Sequence, residues 1–438
     1  MQNPSPRTPA AAAPAPGEAF PPDLSRQIKE RFLHVDHDFM GRQRLFFENA
    51  GGSLRLKAAL EAVARVDAIP DSAERIHEVA AWLKQVQVRG TDDVRLLLNA
   101  RAGTVHASLT ASGAMFDMVR AVAENVPGDN IVTTVLEHPS SYDAAAHYAQ
   151  KLGKELRVAP SNRETGGVDV EEIVSRIDAR TCVLVVIYAS NISGAKLDLE
   201  QIVRRAREVK PDLYVIVDAV QHAPHGLIDL QKTPVDGINI APYKFFGCRG
   251  SGFSWLSDRA ARLPHHRLAA KSAEFWDLGS AAPWQFAVMT EIVEYVCWIG
   301  GQFGGRGDRR ALFARGMERI GLHERALLAR LLDGSTATPG LRHIPGVTVL
   351  LDHHDLARRD LILAIALKGL EHTQAVREYE KRGVIVYERV ASSIYSGRML
   401  DSLGLDGAVR VAPLHCHTYE DVDRFLQVTS EICATAAS

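Results

Sequence analysis

Two short apolar strands in this chain each end in a residue that can do chemistry. Tyr214-Val215-Ile216-Val217 runs into Asp218, with Gln221 three residues on. Val235 to Ile240 leads through Ala241-Pro242-Tyr243 into Lys244 and a glycine-bearing loop. An acid closing one strand and an amine closing the next is the pair that pyridoxal 5'-phosphate (PLP) requires. The amine holds the cofactor as a Schiff base, and the carboxylate keeps the pyridine nitrogen protonated so that the ring withdraws electrons. Taken singly, Lys244 reads as a solvent-facing lysine after a strand and Asp218 as a helix cap or turn aspartate. The pairing favours the cofactor.

The elements around the pair alternate. Arg44 to Glu48 reads as a short strand running into a tight turn at Asn49-Ala50-Gly51-Gly52, and Leu54 to Val66 and Ala73 to Val88 are helical by periodicity. A helix from Ala114 to Asn125 opens at Ser112-Gly113, capped by Ser112 or Thr110. Asn130 to Leu136, Val183 to Tyr188 and Tyr214 to Val217 are strands, interleaved with helices over Ser141 to Leu152 and Leu199 to Val209. Such order predicts an α/β fold with a mostly parallel sheet flanked by helices, and ligands at the carboxyl ends of its strands. A long amphipathic helix from Arg309 to Leu332 is a connector to a smaller α+β domain. That domain has strands at 347–351, 361–367, 384–386 and 408–411 and a closing helix from Glu420 to Ala434.

At 438 residues the chain exceeds one hydrophobic core. The expected division is a disordered Pro/Ala-rich tail (1–23), an N-terminal segment packing with the small domain (24–68), a large PLP-binding domain (69–308) and the small C-terminal domain (309–438). A net charge of -2 gives no argument for a nucleic-acid partner. No apolar run approaches the ~20 residues of a membrane span, so no membrane partner is expected either. Cys182, Cys248, Cys297, Cys416 and Cys433 are scattered and odd in number, which predicts reduced thiols in a cytoplasmic protein. His353-His354-Asp355 and His415-Cys416-His417 look like metal ligands, but they lack a second half, and adjacent histidines on a strand point to opposite faces. No metal is expected.

With these residues in place, the chain resembles the class V aminotransferases of PLP fold type I, nearest to their cysteine-desulfurase-like branch, over roughly residues 45 to 430. The resemblance implies that Lys244 is the Schiff-base lysine, Asp218 the partner of the pyridine nitrogen, and Gln221 a hydrogen-bond partner of the ring's phenolic oxygen. It implies that His138, in Leu136-Glu137-His138-Pro139, stacks on the ring and doubles as an acid/base group, its ordinary pKa lying near neutrality. Asn191 falls near the cofactor oxygen and the substrate carboxylate. Ser112 and Gly113, at a helix start, supply the phosphate with donors. Gly279-Ser280 resembles the pair that reaches the phosphate of a neighbouring subunit, which implies a homodimer. Arg410 clamps the substrate α-carboxylate through its planar fork. Asn49, Ala50 and Gly51 approach the substrate from the N-terminal segment.

The chain departs from that pattern twice. Ala241, Pro242 and Tyr243 precede the lysine where the family has Ser and His on the phosphate, so only the Tyr243 hydroxyl can substitute. Desulfurases of this branch also use a mobile-loop cysteine, and the matching stretch, Tyr387 to Leu400, contains serines and tyrosines but no cysteine. Cys416 lies roughly 20 Å along an extended strand from Arg410, and Cys248, four residues past Lys244, reads as a small buried loop residue. The expectation is a lyase that eliminates a β- or γ-substituent (a carbon–sulfur lyase or a relative) from a small amino acid without a loop persulfide. A transaminase or an epimerase is the alternative, and a PLP-fold binding module without turnover is disfavoured because the lysine–aspartate pair is intact.

Overall fold

Seven consecutive residues, Thr181–Ile187, are buried without exception, as a strand covered on both faces must be. In the computed structural model, which describes residues 17–304 and 306–437, this strand lies in a seven-stranded sheet. Its members are β1 (Thr104–Ser108), β2 (Asn130–Thr134), β3 (Glu155–Ala159), β4 (Thr181–Ile187), β5 (Tyr214–Asp218), β6 (Gly237–Ile240) and β7 (Gly252–Leu256). Their order across the sheet is β1-β7-β6-β5-β4-β2-β3. Every pairing from β6 to β3 is parallel, and β7 alone runs antiparallel to both neighbours. The expected mostly parallel sheet is therefore present. Its covering helices are amphipathic in the usual way. In Leu199–Val209, for example, Leu199, Ile202, Val203 and Ala206 are buried along one stripe, and the Asp198 side chain caps the start by accepting from Gln201 N at 3.1 Å.

A second, antiparallel sheet contains β8 (Val347–Leu350), β9 (Leu363–Leu367), β10 (Tyr387–Val390) and β11 (Gly407–Val411) in the order β8-β9-β11-β10. Its apolar face packs on Tyr379, Phe425 and Leu426 to form a core separate from that of the large sheet. The helix Arg309–Asp333 belongs to both cores. Phe313, Met317 and Ile320 face the first, while Leu327, Leu328, Leu331 and Leu332 face the second.

Several boundaries differ from expectation. The helix predicted over 73–88 spans Glu78–Leu98, because Val94, Leu97 and Leu98 continue its buried stripe and Asn99, at φ 54°, ends it in a left-handed cap. Val384–Ile385 leaves the small sheet and pairs in parallel with Leu45–Phe46. Pro283–Gln302 is a mostly apolar helix with only a narrow polar edge at Glu291 and Glu294, since it packs against Lys57–Asp67, Glu78–Leu98 and Arg309–Asp333 at once. The part of the expected tail covering residues 1–16 lies outside the described residues, but residues 17–23 are structured. Glu18 pairs with Arg319 at 2.8 Å, and Phe20, 5% exposed, stacks on His323 at 4.2 Å. The segment 24–68 does not pack with the small domain alone. Leu45 and Phe47 do so, whereas Leu24, Ile28, Phe32, Leu54 and Leu56 join the core of the large sheet. Among the described residues no helix is long and apolar enough to cross a membrane.

A helix shared by two cores should couple their unfolding. Leu331→Ala removes a side chain with no exposure and is expected to lower stability by about 2–5 kcal/mol. Urea unfolding should remain one transition, coincident by fluorescence and circular dichroism, at a lower midpoint.

Candidate active site

The carboxyl ends of β2, β4, β5 and β6 deliver Glu137 and His138, Asn191, Asp218 and Lys244 to one edge of the sheet. Register sets the central pair: Asp218 lies opposite Asn239 in the β5–β6 ladder. The chain then passes Ile240 into a single helical turn, Pro242–Lys244, that aims the lysine back over β5. Ala111, Ser112, His138, Asn191, Asp218, Gln221, Tyr243 and Lys244 line a single cavity.

Lys244 is 7% exposed, and its side-chain amine donates to Gln221 Oε1 at 3.4 Å, its one side-chain hydrogen bond among the described residues. Burial, helped by the charge of Arg410, pushes its pKa down to about 8. The Asp218 carboxylate accepts from Ser141 Oγ at 2.7 Å and from Val220 N at 3.1 Å, which fixes its direction. His138 accepts from Ser140 N at 3.2 Å through Nδ1, capping the helix Pro139–Lys151 with its own ring. The expectation that this imidazole titrates near neutrality does not hold. Burial, then the nearby Lys244 charge, pushes its pKa down to about 4, so the ring is neutral around pH 7.

Asn191 is 6% exposed, and its Oδ1 has no partner among the described residues, while its carbonyl accepts from Arg410 Nη1 at 3.1 Å. Arg410 is buried, pairs through Nη2 with Glu48, and lies under the Tyr387 ring at 5.3 Å. The helix cap near the expected phosphate site is Thr110, whose Oγ1 accepts from Gly113 N at 3.0 Å. The Ser112 hydroxyl, at the same helix start, is not used in that cap.

Other expected residues stand differently. The Asn49 side chain is committed to backbone, donating to Phe46 O and Ala412 O and accepting from Leu54 N, each at 3.0 Å. It therefore shapes the turn. A Cβ at Gly51 would come within 2.3 Å of the Glu48 carboxylate and push that side chain aside, while Ala50 is buried at 2%. The Tyr243 ring lies under the Arg249 guanidinium at 4.5 Å. Ser280 lines a different cavity, with Lys84, Gln87 and Lys271, so within one chain it does not meet Lys244. Cys248 and Cys416 are buried, and burial raises both thiols. His353 and His354 stack on each other at 4.7 Å and do not lie on a strand.

Five residues of the site were not anticipated. Ser141 orients Asp218. Glu137, fully buried and raised by that burial to about 8, joins β2 to β4 by accepting from Thr134 Oγ1 at 2.7 Å and Ile187 N at 2.8 Å. Arg398 grips the same loop, donating to Glu137 O at 2.7 Å. Glu48 holds Arg410. Arg389, buried and lowered to about 9 by burial and then by Arg410, donates to Tyr395 O at 2.6 Å. Two signals could have found part of this group. Glu48 adjoins the Asn49 turn, and Arg389 shares a face with Arg410, since β10 pairs Tyr387 with Arg410 and strand residues two apart point the same way.

These residues suit PLP. A buried amine with one weak partner, a carboxylate steered by two donors, an unmet buried amide oxygen and a helix start bearing the Ser112 hydroxyl meet in one cavity. Lys244 would hold the group covalently, Asp218 its ring nitrogen, His138 its face and Ser112 its phosphate.

Comparison with known proteins agrees. The profile of the family "Aminotransferase class-V" matches residues 45–425. A probable cysteine desulfurase from Mycolicibacterium paratuberculosis is 24% identical over 422 residues, covering 94% of this chain and 58% of that protein. The chain thus spans less than two thirds of that relative. A probable cysteine desulfurase from Synechocystis is 23% identical over 421 residues, covering 93% of this chain and 95% of that protein. In fold, the chain matches a cysteine desulfurase from Escherichia coli with a TM-score of 0.76 at 19% identity, covering 94% of this chain and 98% of the other.

A lysine with a pKa of about 8 is a cation below that pH and a nucleophile above it. PLP uptake by the apoprotein, followed by stopped-flow absorbance, should quicken about tenfold per pH unit up to pH 8 and then level off. A rate flat from pH 6 to 9 contradicts this.

Proposed function

Because the chain belongs to the class-V aminotransferase family, whose members are PLP-dependent enzymes, we propose that it is a cytoplasmic, homodimeric lyase. In this reading it eliminates a β- or γ-substituent from a small amino acid without passing it to a loop cysteine. The observation that carries the reading is the convergence of Lys244, Asp218 and Arg410 on one edge of the sheet. When bound, PLP supplies a sink for the electron pair left on the substrate's α-carbon.

The residues divide the remaining work. Arg410 receives the substrate α-carboxylate, and Asn191 stands beside it. The Lys244 amine would remove the α-proton; with a pKa of about 8 it can both accept and return that proton near neutrality. Asp218, its direction fixed by hydrogen bonds from Ser141 and Val220, would face the ring nitrogen and hold a proton there. His138 packs its neutral ring flat against the site and excludes water.

Release without a persulfide is supported by the loop over the site. The Tyr395 ring lies 6.2 Å from that of His138, so the stretch 387–400 reaches the cavity, and it contains no cysteine. The five thiols are all buried. The similarity to probable cysteine desulfurases supports the lyase branch over transamination. Ser280 serves the phosphate of the second subunit, and Tyr243 stands in for the missing phosphate ligands.

Two measurements test this. The holoenzyme, mixed with a panel of L- and D-amino acids, should release keto acid together with ammonia or sulfide. A cofactor spectrum that stalls until a keto acid is added makes the enzyme a transaminase and overturns the lyase reading. Lys244→Ala should abolish the absorption at about 420 nm and lower turnover on the order of 10³-fold.

Glu48 generates a further expectation. It already occupies one arm of Arg410, so a substrate carboxylate must displace it. Glu48→Gln should lower KM by about tenfold, equivalent to ~1.4 kcal/mol, with little change in kcat.

A further inference from the structure

Three cations meet where the loop after β4 crosses the loop before β9. Ala195 and Arg359 form an antiparallel bridge, and Lys196 N donates to Arg358 O at 2.8 Å. Lys196, Arg358 and Arg359 therefore stand on two paired backbones, and all three line a cavity of about 320 Å³. None of its lining residues belongs to the cavity around Lys244.

Arg359 is the unusual member. It is 5% exposed, and Nη2 donates to Leu351 O at 2.7 Å. Its Nε and Nη1 are buried with no partner among the described residues. Burial, only partly offset by the charge of Asp352, lowers it to about 10, which fits a charge with no ion-pair partner of its own.

The acids nearby are engaged elsewhere. Asp352 grips Arg342 through both oxygens at 2.7 Å, and Asp360 holds His222 at 3.0 Å. Asp198 caps its helix, and both oxygens of Asp169 accept from Asn162. Asp355, 3.6 Å from Arg358, approaches only the most exposed of the three cations. Buried donors without acceptors are costly, and like charges side by side repel. A polyanion resolves both.

We propose that this cavity binds a small doubly charged oxyanion, a dicarboxylate or a phosphate monoester. Arg359 makes the buried contact, and Lys196 and Arg358 balance the second charge. The planar fork of Arg359 suits paired oxygens, which both chemistries offer.

The test is isothermal titration calorimetry of the PLP-loaded enzyme with malonate and, separately, inorganic phosphate, at one ionic strength held with sodium chloride. Saturable binding is expected in the wild type. It should persist in Arg410→Gln and weaken at least tenfold in Arg359→Gln. Lys196→Gln, at a half-buried position, should weaken it in the same direction and decides the matter if Arg359→Gln does not fold by circular dichroism. Binding of malonate alone identifies a dicarboxylate, and binding of phosphate alone a phosphate ester. The proposal is overturned if neither probe binds saturably, or if binding survives the Arg359 and Lys196 changes and is lost in Arg410→Gln.

Discussion

The parallel pairing of β5 with β6, deep in a sheet covered on both faces, is the constraint on which the rest depends. Strands such as Val215–Val217 and Ile238–Ile240 are buried throughout, so their interiors tolerate almost no chemistry. In both strands the charged residues appear only where the strands stop. Because Asp218 stands opposite Asn239, the turn that follows β6 must carry Lys244 across the end of β5. The same edge collects His138 from β2 and Asn191 from β4. Helix starts converge there as well, and Asn239 Nδ2 donates to Ala111 O at 3.2 Å, tying β6 to the helix that begins beside the cavity.

Placing so many charges together in a dry site requires that each be balanced. Lys244 and Asp218 are both nearly buried, and so are Arg389 and Arg410, with Glu48 as their shared acid. In a medium of low dielectric such charges act strongly on one another. Arg389 is depressed by burial and by Arg410, and Lys244 likewise. The outcome is a lysine whose proton is loosely held and a histidine that carries no charge at neutral pH. Arg398 and Glu137 do different work. They brace the loop bearing His138 against β4 and against the helix Gly397–Leu403.

Much of this was legible in the sequence, for a physical reason. Apolar runs terminated by a charged residue mark buried strands and their ends together, which is why the parallel sheet was legible and why Asp218, Gln221 and Lys244, picked out from the sequence, line one cavity. Elements whose pattern is set by neighbours were not legible. Pro283–Gln302 shows no helical stripe because three helices surround it. Residues 17–23 look like a tail, yet Phe20 finds a histidine ring hundreds of positions away. Glu48 and Arg389 become site residues only once β10 and the N-terminal turn are folded against β11. The neutral state of His138 is a property of its burial, which composition cannot report.

The five thiols, all shielded from solvent, have a consequence of their own. Burial raises each of them above its ordinary value, so the reactive thiolate is scarce as well as hidden. Thiol-directed oxidants and alkylating reagents then find no ready target until the chain opens. Because the cysteines lie in different elements of both cores, each one labelled would time-stamp the opening of its own neighbourhood, giving the molecule an internal set of clocks for its fluctuations.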